Sequence, residues 1–316
     1  MQGRGYDRPT VTNQLVPARR GRARGTSPGT APPAHGRLGS VLALQRMAGN
    51  RAVRALVARD PKVVKIGNEQ VRVASDDEGA EAERIVKDVK ANFGVTFDSM
   101  ATKKAALERY PKDSVPEANR QALDVRVWEL NELRAIQKAL KHFAPVLGDA
   151  RKKTLPKAGP QEFVTVGRLN TAPDDDPKVL GDETRGEYFR DQKAFGVFDR
   201  DPDAPAGDDA VERVATHEIA HGIFDPHLEE FMKATGYWKK HSVKLPEKQR
   251  TEGPPDGYAD TNAAEDLAQS VMYFFVDPKR LKEGDGRGRK KGMWGNPCPK
   301  RHAFIKRIVG SWTKKR

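Results

Sequence analysis

Apolar residues recur along most of this chain at intervals of three and four, the spacing of one helix face, and only in short stretches at intervals of two. Between Glu81 and Phe93, Ile85, Val86, Val89 and Phe93 share a face. Between Ala118 and Phe143 the same period runs through Leu123, Val127, Leu130, Leu133, Ile136 and Leu140. Both stretches predict helices with a packing face. Asp208–Phe224 reads as one helix that opens after a Pro- and Gly-rich loop and closes before Pro226. Asn262–Phe275, with Leu267, Ala268, Val271 and Phe275, reads as another, and a last one around His302–Trp312 carries Phe304, Ile305, Ile308 and Val309. Strands are predicted at Val63–Ile66, Val71–Val73, Phe163–Leu169 and Ala194–Phe198. The expected class is α+β, mainly helical with a small mixed sheet, and no internal repeat is visible.

Four regions follow from these patterns. Residues 1–36 are rich in Arg, Gly and Pro with almost no apolar period, so they predict a disordered basic leader. Residues 37–60 place Leu38, Val41, Leu42 and Met47 at helical spacing, break at Gly49-Asn50, and resume with Val53, Leu56 and Val57. They predict an amphipathic loading or docking segment. Residues 61–160 form a mainly helical region without catalytic signal, and residues 161–316 contain the candidate chemistry and a basic C-terminal end.

Charge changes the picture less than its total suggests. The net charge is +13, but residues 1–60 hold eleven Arg against two Asp, and residues 279–316 hold fourteen Lys or Arg against two acids. The stretch between them is therefore net −8. Basicity confined to the ends predicts no specific nucleic-acid groove, though tails of this kind can dock on a polyanion. No apolar run approaches the ~20 residues of a membrane span, and residues 1–36 lack the apolar core of a secretory signal. One cysteine, Cys298, cannot form an internal disulfide, so it reads as a bystander thiol.

The candidate chemistry lies at His217-Glu218-Ile219-Ala220-His221. On a helix, positions i and i+4 lie one turn apart on one face, so the two imidazoles address a single point. That point can hold Zn²⁺, and Glu218 can act as general base toward a zinc-activated water. A catalytic zinc site needs a third protein ligand, and two residues offer themselves. His227 follows His217 at the spacing used by metzincins, and Ser270-Val271-Met272-Tyr273 faintly resembles their Met-turn. Phe224 nevertheless stands where that family has the glycine that lets the chain turn, and Met272 falls inside a predicted helix. Glu265, in the first turn of that helix, matches the gluzincin arrangement and is preferred. Asp266 reads as a support for the metal ligands or a surface cap.

With Tyr258 seven residues before Glu265, the region around residues 180–310 resembles the catalytic domain of the anthrax-lethal-factor type of zinc peptidase. The resemblance implies a zincin-like fold and a peptidase in which His217, His221 and Glu265 bind zinc, Glu218 is the base and Tyr258 stabilises the oxyanion. Relatives often repeat an acid four residues after the glutamate ligand, and this chain has Gln269 there. The family also implies a polypeptide substrate laid along an edge strand, expected here at Ala194–Phe198. Separately, Leu44–Val53, LQRMAGNRAV, resembles the LQR-x-x-GN-x-AV motif of proteins associated with bacterial extracellular contractile injection systems. That implies a toxin effector, monomeric, loaded by a particle partner and delivered from the producer's cytoplasm to the outside or to a target cytosol without a signal peptide. Two alternatives remain at this point: a non-catalytic structural or adaptor cargo, and a polyanion-binding protein acting through its basic tails.

Overall fold

The computed structural model describes residues 61–109, 117–154, 165–170, 186–198, 208–286 and 295–314. The leader, the docking segment with its LQRMAGN motif, and most of the acid-rich loop before the motif helix lie outside the described residues.

The chain opens with a hairpin, β1 (Lys62–Ile66) and β2 (Glu69–Val73), followed by α1 (Asp76–Phe93), β3 (Thr96–Phe97) and α2 (Ser99–Arg109). Ser75 caps α1 through the Glu78 N–H, and Asp76, Asp77 and Glu78 sit where the helix dipole favours acids. Then come α3 (Glu117–Ala122), β4 (Trp128–Glu129), α4 (Leu130–His142) and α5 (Gly148–Thr154). The second half contains β5 (Thr165–Leu169), β6 (Gly186–Phe189), β7 (Ala194–Phe198), α6 (Asp208–Phe224), α7 (Leu228–Thr235) and the short hairpin β8 (Trp238–Lys240) and β9 (Val243–Lys244). It closes with α8 (Ala263–Val276), α9 (Pro278–Glu283) and α10 (Pro299–Lys314). The protein is thus α+β, mainly helical with small sheets. Among the described residues no helix is long and apolar enough to cross a membrane.

The single helix expected over Ala118–Phe143 is two helices with extended chain between them. Val125 bridges Leu169, the Arg126 N–H donates to the Arg168 carbonyl, and Trp128 pairs with Val71 of β2. Fully buried Trp128 also donates its indole N–H to Glu69 at 2.8 Å and meets Phe97 edge to face. β-branched and aromatic side chains at 125–128 fit an extended backbone, and the sheet contacts outweigh the helical period.

The larger sheet has the order β3-β5-β7-β6, parallel except for β6 against β7. All five residues of β7 are buried, as expected of a strand covered on both faces. β7 is therefore internal, and among the described residues β3 and β6 are the edges; the expectation that Ala194–Phe198 is the edge strand is overturned by this pairing. Helix α6 packs between α4 and α8 and lies against β6 and β7. Its Val211, Ala215, Ile219, Ala220 and Phe224 join Val71, Phe93 and Leu133 from the first half and Val271 and Trp312 from the second in one hydrophobic cluster. The described residues of both halves belong to one compact unit.

Candidate metal centre

Helix α6 is buried around most of its circumference, and this carries the motif inside: His217 and Glu218 are each only 6% exposed. The His217 and His221 rings stand edge to face with centroids 4.8 Å apart. Across from them, Asn262 caps α8 by accepting from the Ala264 and Glu265 N–H groups at 2.9 and 3.0 Å. That cap fixes where α8 begins and so places Glu265 in its first turn, facing α6.

Three ligand-type atoms converge. Glu265 Oε2 lies 3.0 Å from His217 Nε2 and 3.4 Å from His221 Nε2, and the two Nε2 atoms are 3.1 Å apart. A tetrahedral ion with nitrogen and oxygen ligands at roughly 2.0–2.2 Å holds them about 3.3–3.5 Å from one another. The near-equilateral triangle fits such an ion after a small outward shift. His217, His221 and Glu265 form the one group of three or more His, Cys, Asp or Glu residues found close enough to share a metal among the described residues.

Electrostatics at the cluster follow from burial and from these contacts. Burial alone would lower the pKa of His217, but its bond to Glu265 and the charge of Glu218 outweigh that and push it up to about 9. Burial, opposed by His217 and reinforced by the charges of Glu265 and Glu187, pushes Glu218 up to about 8. Burial lowers His221, and Glu265 offsets this only in part. Burial acts to raise Glu265, yet its bonds to both histidines hold its carboxyl well below the usual carboxylate range.

Tyr258 lies beside the cluster, with its ring 5.7 Å from that of His217. The residue is 45% exposed, on the open side of the site. Desolvation of the hydroxyl and the charges of Glu265 and Glu218 keep the phenol protonated far above its ordinary range. Strand β6 borders the cluster on the opposite flank. The Tyr188 N–H bonds the Glu218 carboxylate, and a Cβ placed on Gly186 would meet Val214 Cγ1 at 2.4 Å and Glu218 Cγ at 3.1 Å. Only glycine lets β6 run so close to α6.

The remaining candidates sit elsewhere. After Phe224 the chain passes through a short 3₁₀ turn, Asp225–His227, instead of doubling back. His227 faces Glu230 at 3.9 Å and stays out of the cluster. Asp266 was expected as a support for the metal ligands or a surface cap. It is instead fully buried, accepts from Arg301 and from the Trp238 indole N–H, and belongs to a structural ion pair. Cys298 is buried against the Gly253 and Asn296 carbonyls. Sequence reasoning noted Gln269 only as a departure from an acid and missed Asp225 behind the imidazoles. Gln269 Oε1 lies 2.9 Å from His217 Nδ1, while Asp225, tied to Arg190, lies 3.9 Å from His221 Nδ1. Asp225 follows His221 by one helical turn, a spacing that could have drawn notice.

No protein family, curated protein or solved structure matches the chain in the comparisons made. The fold and cluster define a class: an α+β protein with a partly buried two-histidine, one-glutamate candidate metal centre.

Proposed function

We propose that this chain is a zinc-dependent endopeptidase of gluzincin type, with a zincin-like catalytic fold. The observation that carries the reading is the His217, His221 and Glu265 triangle with buried Glu218 beside it. Two imidazoles and a carboxylate are a donor set of catalytic zinc sites that keep one position open. When bound, zinc supplies Lewis acidity toward water and a substrate carbonyl. Glu218 takes a proton from the attacking water on its carboxylate and returns it to the leaving amine nitrogen. The burial that strengthens its hold on a proton suits that exchange near neutral pH. Tyr258, kept protonated, donates its hydroxyl hydrogen to the carbonyl oxygen as negative charge develops there. Edge strand β6, beside Glu218, supports a polypeptide substrate added to the sheet in extended form.

The Leu44–Val53 segment supports the further reading that the peptidase is a toxin effector, loaded as cargo of a contractile injection particle and acting in a target cell. The reading as non-catalytic cargo makes the opposite prediction for Glu218.

The test is metal analysis and peptide-library hydrolysis on the purified full chain, as wild type, Glu218→Gln and His217→Ala. Wild type and Glu218→Gln should each hold about one zinc per chain, and His217→Ala should hold less. Hydrolysis should fall about 10²–10⁴-fold in Glu218→Gln. Equal hydrolysis by wild type and Glu218→Gln, or full activity in zinc-free wild type, overturns the assignment.

A further inference from the structure

We propose that Gln269, held in place by Asp256, is the positioning residue that fixes the tautomer and orientation of His217 at the metal centre. The inference rests on the metal reading above and deepens it.

Gln269 lies one turn after Glu265 on α8, so both side chains leave the same face of that helix toward α6. Glu265 reaches His217 Nε2 at 3.0 Å, and Gln269 Oε1 reaches His217 Nδ1 at 2.9 Å. One helix thus holds both nitrogens of one imidazole. An amide has a donor end and an acceptor end, and which end faces the ring decides the chemistry. Asp256 settles this. Its Oδ2 lies 2.7 Å from Gln269 Nε2, and a carboxylate can only accept, so the amide NH₂ faces Asp256 and the amide oxygen faces His217. An oxygen at Nδ1 requires Nδ1 to carry a hydrogen. In neutral imidazole that leaves the Nε2 lone pair pointing into the triangle, as a metal ligand needs.

The outer end of the relay is itself held. Asp256 Oδ1 accepts from the Ala259 N–H at 2.9 Å, and Oδ2 also accepts from the Tyr273 hydroxyl at 2.9 Å. Tyr273 lies between the Arg213 and Arg280 guanidinium groups, each 5.9 Å from its ring centroid, and Arg280 donates to the Pro255 carbonyl at 3.2 Å. The loop that carries Asp256 also carries Tyr258. The same short segment therefore aligns His217 from behind and presents the phenol in front. The amide transmits the pull of the Asp256 carboxylate to His217 without putting a second negative charge against the ring.

The experiment measures zinc affinity of the full-length chain by competition with a chelator of known affinity, beside the thermal midpoint of each zinc-free protein. Gln269→Leu removes the acceptor and should weaken zinc binding about 10–100-fold. Gln269→Glu alone sets two carboxylates against each other, whereas Asp256→Asn with Gln269→Glu restores a donor–acceptor pair in reversed order. The double variant should bind zinc within a few-fold of wild type and more tightly than Gln269→Leu or Asp256→Ala, which leaves the Gln269 NH₂ without that acceptor. A merely structural role would lower the midpoint and leave affinity alone. Wild type that binds zinc while Gln269→Leu binds it equally well overturns the relay and leaves the metal reading standing. Wild type that binds no zinc overturns both. Should Gln269→Leu not fold, a reversed pair that binds no better than Asp256→Ala alone overturns the relay.

Discussion

His217 Nε2 and His221 Nε2 face each other at 3.1 Å, with one carboxylate oxygen of Glu265 within 3.4 Å of both. The bond to Glu265 and the charge of Glu218 outweigh burial and push His217 up to about 9.

On the zinc reading proposed above, metal binding has to displace the proton that His217 holds. Metal uptake at pH 7–8 should therefore release protons, and affinity should rise as the pH approaches 9. The stability of the metal-free protein should run the other way. His217 and Glu218 both have folded pKa values, about 9 and about 8, above their unfolded values near 6.5 and 4.3. The folded state then binds more protons, so stability falls as pH rises from 7 to 9. Thermal midpoints at pH 7 and pH 9 should show that loss in zinc-free protein, and added zinc should abolish it.

Tyr258→Phe keeps the ring beside His217 and removes only the hydroxyl. Zinc content should not change, and kcat should fall about 10²–10³-fold with little change in KM, as expected for a donor used mainly in the transition state. A loss confined to KM would assign Tyr258 to substrate binding instead.

Gly186→Ala inserts a methyl group where Val214 already stands 2.4 Å away. Strand β6 has to move off α6, and the Tyr188 contact to Glu218 goes with it. The expected result is near-normal zinc content with hydrolysis reduced at least tenfold. Unchanged hydrolysis would remove β6 from the substrate path.

Asp266→Ala leaves the Arg301 guanidinium, fully buried, with Glu252 as its one remaining acidic partner. Breaking a buried pair from one side typically costs about 3–5 kcal/mol, and urea unfolding should show a loss of that size. The location of Asp266 beside Glu265 in sequence gives no hint of this role. Successive helical residues point about 100° apart, so one faces the histidines while its neighbour faces α10.

Local information carried much of this protein. The spacing of His217 and His221 on one helix, the helix read over Asn262–Phe275, and the strand at Ala194–Phe198 are short-range patterns, and all are present in the structure. The period through Ala118–Phe143 misled because helical spacing of Leu123, Val127 and Leu130 says nothing of the strand partners waiting at Val71 and Leu169. Strand β6 is only four residues long and includes a glycine, so it leaves no alternation to read.

Local pattern alone places two imidazoles on one side of one helix, because residues four apart lie one turn apart. The fold adds that Glu265 and not His227 stands within reach of both rings, that Gln269 and Asp256 stand behind His217, and that β7 is internal to its sheet. These depend on which face of α8 meets α6 and on strand order, contacts between residues tens of positions apart that no local pattern encodes.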